Sequence, residues 1–314
     1  MVLARLADRR PGNSPGMRGS PDIRPFRALD HIADWSWLDK PAKTVRKAVF
    51  KVFSNRQVRD VLHGVWLGHP LHPMSVQVPI GAFLSAGVVD ALPDSGPGER
   101  RVAGSLITMG VLTSLPAALS GLTDFAQGQP DQQRTGLVHA TANSAALACY
   151  LVSLRQRARG RQAAAVATGW AGLTLLATGG LLGGHLSYHQ ANGANQAEDV
   201  LHIGPREWTE IGNVHDLPDR VPVQRMAGEV PVVVLRDGED THVLADRCSH
   251  ASGPLHEGTL SWPAGPGEAP CLECPWHGSV FRVGDGSVVH GPATAPQPGF
   301  HTRVVGDRLQ IRLR

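Results

Sequence analysis

Two short runs in the last third of the sequence combine the residue types that hold transition metals. Cys248-Ser249-His250 is followed, after 23 residues, by Cys274-Pro275-Trp276-His277-Gly278-Ser279. Each run offers one thiolate and one imidazole, so two such loops facing each other give a Cys2His2 donor set. Zinc is the first ion to weigh, but structural zinc sites usually draw like ligands from each hook, as Cys-x-x-Cys or paired histidines. One Cys and one His per loop suits a binuclear iron–sulfur cluster better. There, one iron takes two thiolates and the other two imidazoles, so each loop clamps both irons. Cys271 forms Cys-x-x-Cys with Cys274 but reads as a strand residue beside the ligand loop, and Cys149 reads as helix packing. Four cysteines in 314 residues exclude a disulfide scaffold.

Residues 200–314 must position these loops, and their texture is that of an all-β domain. Short apolar runs such as Val221-Pro-Val-Gln, Val230-Pro-Val-Val-Val-Leu and His242-Val-Leu are punctuated by Asp237-Gly238, Gly284-Asp-Gly286 and Gly306-Asp307. With Cys248-Ser-His-Ala-Ser-Gly-Pro-Leu255, Cys274-Pro-Trp-His-Gly-Ser279 and Gly291-Pro292-Ala293, residues 206–314 resemble a Rieske [2Fe–2S] domain. The resemblance implies that Cys248 and Cys274 bind the inner iron, that His250 and His277 bind the outer one, and that Gly291-Pro292-Ala293 shields the cluster. Respiratory Rieske proteins carry an extra cysteine in each cluster loop; the matching places here are Gly253 and Trp276, so the resemblance is to the ferredoxin type. Ser279 keeps a hydroxyl for the cluster while the family's tyrosine donor is replaced by Phe281, which implies a potential well below the respiratory class. The gap between the loops is longer than usual, and Ser261 to Glu268 reads as a surface excursion.

Ahead of this domain the charge disappears. Only 18% of residues are Asp, Glu, Lys or Arg, and none falls within 61–89, 102–123, 135–154 or 162–197. The shortest of these runs has twenty residues, which in a helix reach about 30 Å, the thickness of a bilayer's hydrocarbon core. Four spanning helices are expected at 73–92, 102–123, 136–154 and 163–187, because a soluble bundle would need a polar stripe on each outer face. Small-residue pairs at spacing four, Ala117/Gly121, Gly179/Gly183 and Gly180/Gly184, would let these helices approach closely. The expected fold is therefore multi-domain: a four-helix transmembrane bundle over 61–195, then the Rieske-type domain over 200–314. Within residues 1–60, a disordered Arg/Pro/Gly-rich tail (1–27) precedes a basic amphipathic helix from Pro41. Val45, Val49, Val52 and Phe53 form its apolar side, while Lys43, Arg46, Lys47, Lys51 and Arg56 face anionic lipid.

Through His69-Pro-Leu-His72-Pro73, Gly121-Leu-Thr-Asp124 and Gly183-Gly-His-Leu-Ser-Tyr188, residues 60–190 resemble a bacterial four-helix membrane family of unknown function (DUF2231-like). Span parity places His72, Asp124, His139 and His185 at one membrane depth, on the side from which the β domain leaves. Ionisable groups at such a depth mark a site that could take haem, a metal or a quinone head group.

A net charge of +3 excludes a dedicated nucleic-acid binder. A self-contained oxygenase would need a two-His, one-carboxylate iron site after the cluster domain, and the sequence runs only 37 residues past His277. The expected function is a membrane-tethered one-electron carrier with a redox partner protein such as a reductase, in contact with membrane lipid. A redox sensor, a structural cluster and the electron supply of an oxygenase are the alternatives. Arg100, Arg101, Arg155, Arg157, Arg159 and Arg161 oppose Lys51, Arg56, Arg59, Arg134 and the basic helix in the positive-inside tally. No adjacent Arg pair precedes the fourth span to signal export of a cluster-loaded domain, so the Rieske domain is expected in the cytoplasm.

Overall fold

The computed structural model describes residues 27–93, 96–262 and 269–314. The tail over 1–26 and most of the 261–268 excursion lie outside the described residues.

The helical half runs α1 (Arg27–Asp30), α2 (Asp39–Val52), α3 (Arg56–His63), α4 (Leu71–Ser75), α5 (Gln77–Asp90), α6 (Pro97–Gln127), α7 (Pro130–Ala158) and α8 (Gln162–Gly184). Pro97 and Pro130 open α6 and α7, where a missing N–H costs nothing. The side chains of Glu99 and Gln132 fold back to accept the N–H of Gly96 at 2.9 Å and of Gln129 at 2.8 Å. Among the described residues, three helices are long and apolar enough to cross a membrane: Pro97–Gln127, Pro130–Ala158 and α8 extended through a π turn to His189. The span expected at 73–92 differs. It is divided into α4 and α5, with Pro73 and Pro79 in their first turns, and the 14 residues of α5 rise only about 21 Å.

Helix α5 packs on α6 and α8, and α7 packs on both. Gly110 admits the Phe83 ring, which stacks on Tyr150 at 3.8 Å; a Cβ at Gly110 would lie 2.5 Å from that ring. Gly121 and Gly179 likewise face the side chains of His72 and Asn143, whereas the expected pair Gly180/Gly184 faces open space. Cys149 lies in helix packing, its Cβ 3.2 Å from where a Gly172 Cβ would be. Leu84, Val88, Leu112, Leu115 and Leu151 point outward, as lipid-facing residues would. The basic helix α2 does not lie apart. It buries Ala42 and Val49 and packs on α6 and α7, with Arg46 Nε donating to Ala126 O at 3.0 Å.

The β half begins with α9 (Val200–Ile203) and has two antiparallel sheets. One orders β1 (Thr209–Asn213), β10 (Arg308–Leu313), β9 (Gly299–Val305), β4 (Asp240–Ala245), β3 (Val230–Asp237) and β2 (Val223–Ala227); the other orders β5 (Thr259–Ser261), β6 (Cys271–Glu273), β7 (Val280–Arg282) and β8 (Val288–His290). Gly238 and Gly306, at φ 62° and 61°, make the tight turns of the β3–β4 and β9–β10 hairpins. The unbroken apolar run of β3 is explained by burial on both faces. Val232 and Val234 join Val243, Phe300 and Ile311 in one core; Val233 and Leu235 join Leu244, Leu255 and Phe281 in the other, beneath the cysteine loops.

Candidate functional site

The first loop leaves β4 through Asp246, which is 2% exposed and accepts from His256 N–H, His256 Nδ1–H and the Gln224 amide at 2.7–2.8 Å. The turn then closes by Cys248 N–H to Gly253 O at 2.9 Å and Ser252 N–H to Cys248 O at 2.8 Å. The second loop follows β6. Cys274 N–H donates to Ser279 O at 2.8 Å and Gly278 N–H to Cys274 O at 3.1 Å, with Gly278 at φ 75° where a side chain would be strained. The two loops approach each other through their cysteines and through their histidines.

Cys248 and Cys274 are 1% and 2% exposed and hydrogen-bonded to each other. That bond raises the Cys248 thiol and holds Cys274 down at about 7. The rings of His250 and His277 face each other edge to face at 4.9 Å. Burial, followed by the charges of His277 and His63, pushes His250 down to about 3; burial and the Arg46 cation lower His277 as well. Both imidazoles are thus kept in the neutral form that binds metal. His250 Nδ1 is buried with no hydrogen-bond partner. An orphaned imidazole nitrogen facing a second imidazole, on two loops that also bring two thiols together, is a donor set in want of an acceptor such as iron.

A Rieske [2Fe-2S] domain model matches residues 207–302, and a model described as "Predicted membrane protein (DUF2231)" matches 68–196. The chain belongs to the Rieske [2Fe–2S] family. Its Rieske domain is 28% identical to the anthranilate 1,2-dioxygenase ferredoxin subunit of Burkholderia cepacia over 107 residues, 34% of this chain and 93% of that protein. It is 30% identical to ferredoxin CarAc of Metapseudomonas resinovorans over 98 residues, 31% of this chain and 85% of that one. Among solved structures, the ferredoxin of carbazole 1,9a-dioxygenase from Nocardioides aromaticivorans is 23% identical, covering 34% of this chain and 98% of its own, with a TM-score of 0.31. The cofactor of a Rieske domain is a [2Fe–2S] cluster, and Cys248, His250, Cys274 and His277 fit it.

Around the Rieske loops, Gly253 leaves no room for another side chain: a Cβ there would lie 2.8 Å from Cys274 Sγ and 3.1 Å from the Trp276 ring. Ser279 is fully buried and its Oγ accepts the Ala293 N–H at 2.9 Å, tying the Gly291-Pro292-Ala293 loop to the second ligand loop. Phe281, also fully buried, brings no hydroxyl. Gln297, unmarked in the sequence, holds the first loop. Its Oε1 accepts Ser249 N–H at 3.0 Å and its Nε2 donates to the carbonyls of Ala245 and Arg247. The only sequence signal is an amide between two prolines in Ala295-Pro-Gln297-Pro.

Helix α3 covers the cluster end of the Rieske domain. Arg56 donates to Gly278 O and lies 3.6 Å from the Glu273 carboxylate. Asp60 accepts from His290 and Gly291, and His63, 2% exposed, donates from Nδ1 to Asp124 Oδ1 at 2.8 Å. Beside this contact lies a cavity of about 190 Å³ lined by His63, Asp124, Gln127, Asn195, His250 and Ala293, among others.

His72, Asp124, His139 and His185 find separate partners. His72 and His139 lie edge to face at 6.1 Å, their Nδ1–H groups donating at 2.8 Å to Ala117 O and Gly179 O respectively. Asp124 pairs with His63, and His185 stacks on His189 beside Asp30.

Proposed function

We propose that this protein is a membrane-tethered Rieske ferredoxin, a one-electron carrier whose cluster is held by Cys248 and Cys274 on the inner iron and by His250 and His277 on the outer. The observation that carries this reading is the partition of burial: both thiols are sealed in the core, while the two imidazoles sit half-buried at the domain edge. Electrons would enter and leave through that edge. Likeness to the ferredoxin subunits of dioxygenase systems supports the carrier role and a soluble reductase as donor. Bound there, the cluster takes up and returns one electron at a time. The chain's own residues keep the imidazoles neutral, exclude water from the thiols and, through Ser279 with Phe281 in place of a hydroxyl donor, set a potential below that of respiratory Rieske proteins.

In this reading the bundle of α5–α8 spans the membrane four times, with α4 and α5 together forming the first crossing. The Rieske domain stands in the cytoplasm, against the ends of α6 and α7 that carry Asp124 and Arg134. A second reading of the acceptor is favoured by the cavity beside His250. Its volume and its polar groups, His63, Asp124 and Gln127, suit a quinone head group reached from the membrane. Stopped-flow reduction of the detergent-purified full-length protein tests both: a ferredoxin reductase or a quinol is expected to bleach the cluster with one electron per two irons. A cluster that neither donor reduces in a chain whose partner affinity changes with redox state would instead mark a sensor.

A further inference from the structure

Away from the cluster loops, three metal-ligating side chains meet where α8 ends. His185 and His189 lie four residues apart in the π turn that closes this helix, their rings stacked at 4.5 Å. Such turns occur frequently at functional sites. Asp30, from the segment ahead of α2, brings its Oδ1 to 3.4 Å from His189 Nε2 and 3.9 Å from His185 Nε2, and all three ligand atoms lie within 4.8 Å of one another. Hydrogen bonding does not account for the arrangement. The His185 side chain is 9% exposed and its Nε2 is buried without a partner, since 3.9 Å to the carboxylate exceeds hydrogen-bond range.

The geometry points to a divalent transition-metal site of the zinc class at Asp30, His185 and His189. Two imidazole nitrogens and one carboxylate oxygen are a mixed set that hard, oxygen-seeking calcium and magnesium do not favour and zinc does. Ligands on a tetrahedral zinc lie about 3.3 Å apart; the Asp30–His189 distance already matches this, and His185 closes by a small ring rotation. His189 and Asp30 are 58% and 41% exposed, which leaves the fourth position to water. The ion would fasten the juxtamembrane segment to α8 and stiffen the chain that follows, where Gln196 N–H donates at 2.9 Å to the carbonyl of Ser249, between two cluster ligands. The site shares no residue with the cluster.

Zinc titration of tag-free, cluster-loaded, full-length protein against a chromophoric chelator tests the assignment. One zinc per chain beyond the two irons is expected. His185→Ala and His189→Ala should each weaken binding at least about tenfold, with iron content and the cluster's EPR signal unchanged. Asp30→Asn, a part-exposed and nearly isosteric change, serves should either histidine variant fail to fold. His202→Ala, at an exposed histidine paired with Glu198, should bind zinc as the unaltered protein does. Absence of tight zinc in the unaltered protein, or Asp30 and histidine variants that bind zinc as tightly as the unaltered protein, overturns the site.

Discussion

Asp60 and His290 join the two halves of the protein. The Asp60 carboxylate accepts from His290 Nδ1–H at 2.7 Å and from Gly291 N–H at 2.9 Å, although 230 residues separate the pair. The contact fixes the Gly291-Pro292-Ala293 loop to the helix that precedes α4 to α8. Asp60→Ala leaves both donors without their acceptor, and hydrogen bonds to a charged group contribute about 1.5–3 kcal/mol. Hydrogen exchange at 288–293 should accelerate in this variant while iron content stays constant. Unchanged protection there would mean that the contact does not hold the domains together.

The ligand assignment predicts that Cys248→Ala, His250→Ala, Cys274→Ala and His277→Ala each abolish the Rieske EPR signal, because one loop cannot close an iron site that the other has left open. Cys271→Ser should retain it. Cys271 pairs in register with Ser261 and Arg282 on a sheet strand, and its thiol donates to Ala269 O at 3.4 Å. Loss of iron in the Cys271 variant with retention in the His250 variant would refute the assignment.

The proposed ligand set was legible in the sequence because metal chemistry needs particular residue types at short spacing, and the loops are local structure. Strands β2 to β4 were legible for a similar reason, since apolar runs between Gly turns carry their own signal. Asp60, His63 and Gln297 were not, because each acts on a partner far along the chain and none belongs to a local pattern. The single helix expected at 73–92 is divided for a physical reason: absence of charge measures compatibility with lipid, whereas the helix itself carries Pro73 and Pro79 in the first turns of two separate segments. Span parity grouped His72, Asp124, His139 and His185 by position along the chain, but parity does not determine rotation about each helix axis, and in the structure His185 lies beside Asp30 and Asp124 pairs with His63.

Gln297 is 1% exposed and satisfies three backbone groups of the first ligand loop and the strand before it. Gln297→Ala leaves them buried and unpaired, at about 1–3 kcal/mol for each group that water does not reach. Thermal bleaching of the cluster should move to lower temperature by several degrees, with the room-temperature spectrum intact. A melting profile equal to that of the unaltered protein would show that the loop is held elsewhere.

Acid should destabilise the cluster-free protein through its ligand histidines. Burial lowers His250 from 6.5 to about 3 and lowers His277 in the same direction, so between these values the unfolded chain takes up protons that the folded one refuses. Stability is then complete above about pH 6.5 and declines as pH falls toward 3, by at most about 1.4 kcal/mol per unit for each histidine. Urea unfolding of cluster-free protein, followed by Trp276 fluorescence, should show a lower midpoint at pH 5 than at pH 7, and the difference should shrink in His250→Ala. A midpoint independent of pH over this range would place His250 in water.

The Rieske domain should fold and load its cluster without the membrane half, but only if the fragment starts early enough. Val200 of α9 is 1% exposed in the core with Phe300 and Ile311, Asp199 pairs with Arg247 beside the first loop, and Gln196 N–H holds Ser249 O. Burying a valine contributes about 1.5–3 kcal/mol, and the backbone contact at Ser249 acts directly on the ligand loop. A fragment of residues 196–314 is therefore expected to be a soluble, brown protein with two irons. One of residues 207–314 should load less iron and melt at a lower temperature. Equal loading and melting of the two fragments would show that 196–206 belongs to the linker; failure of the longer one to hold iron, even with cluster assembly in excess, would show that α3 and the bundle are needed to complete the domain.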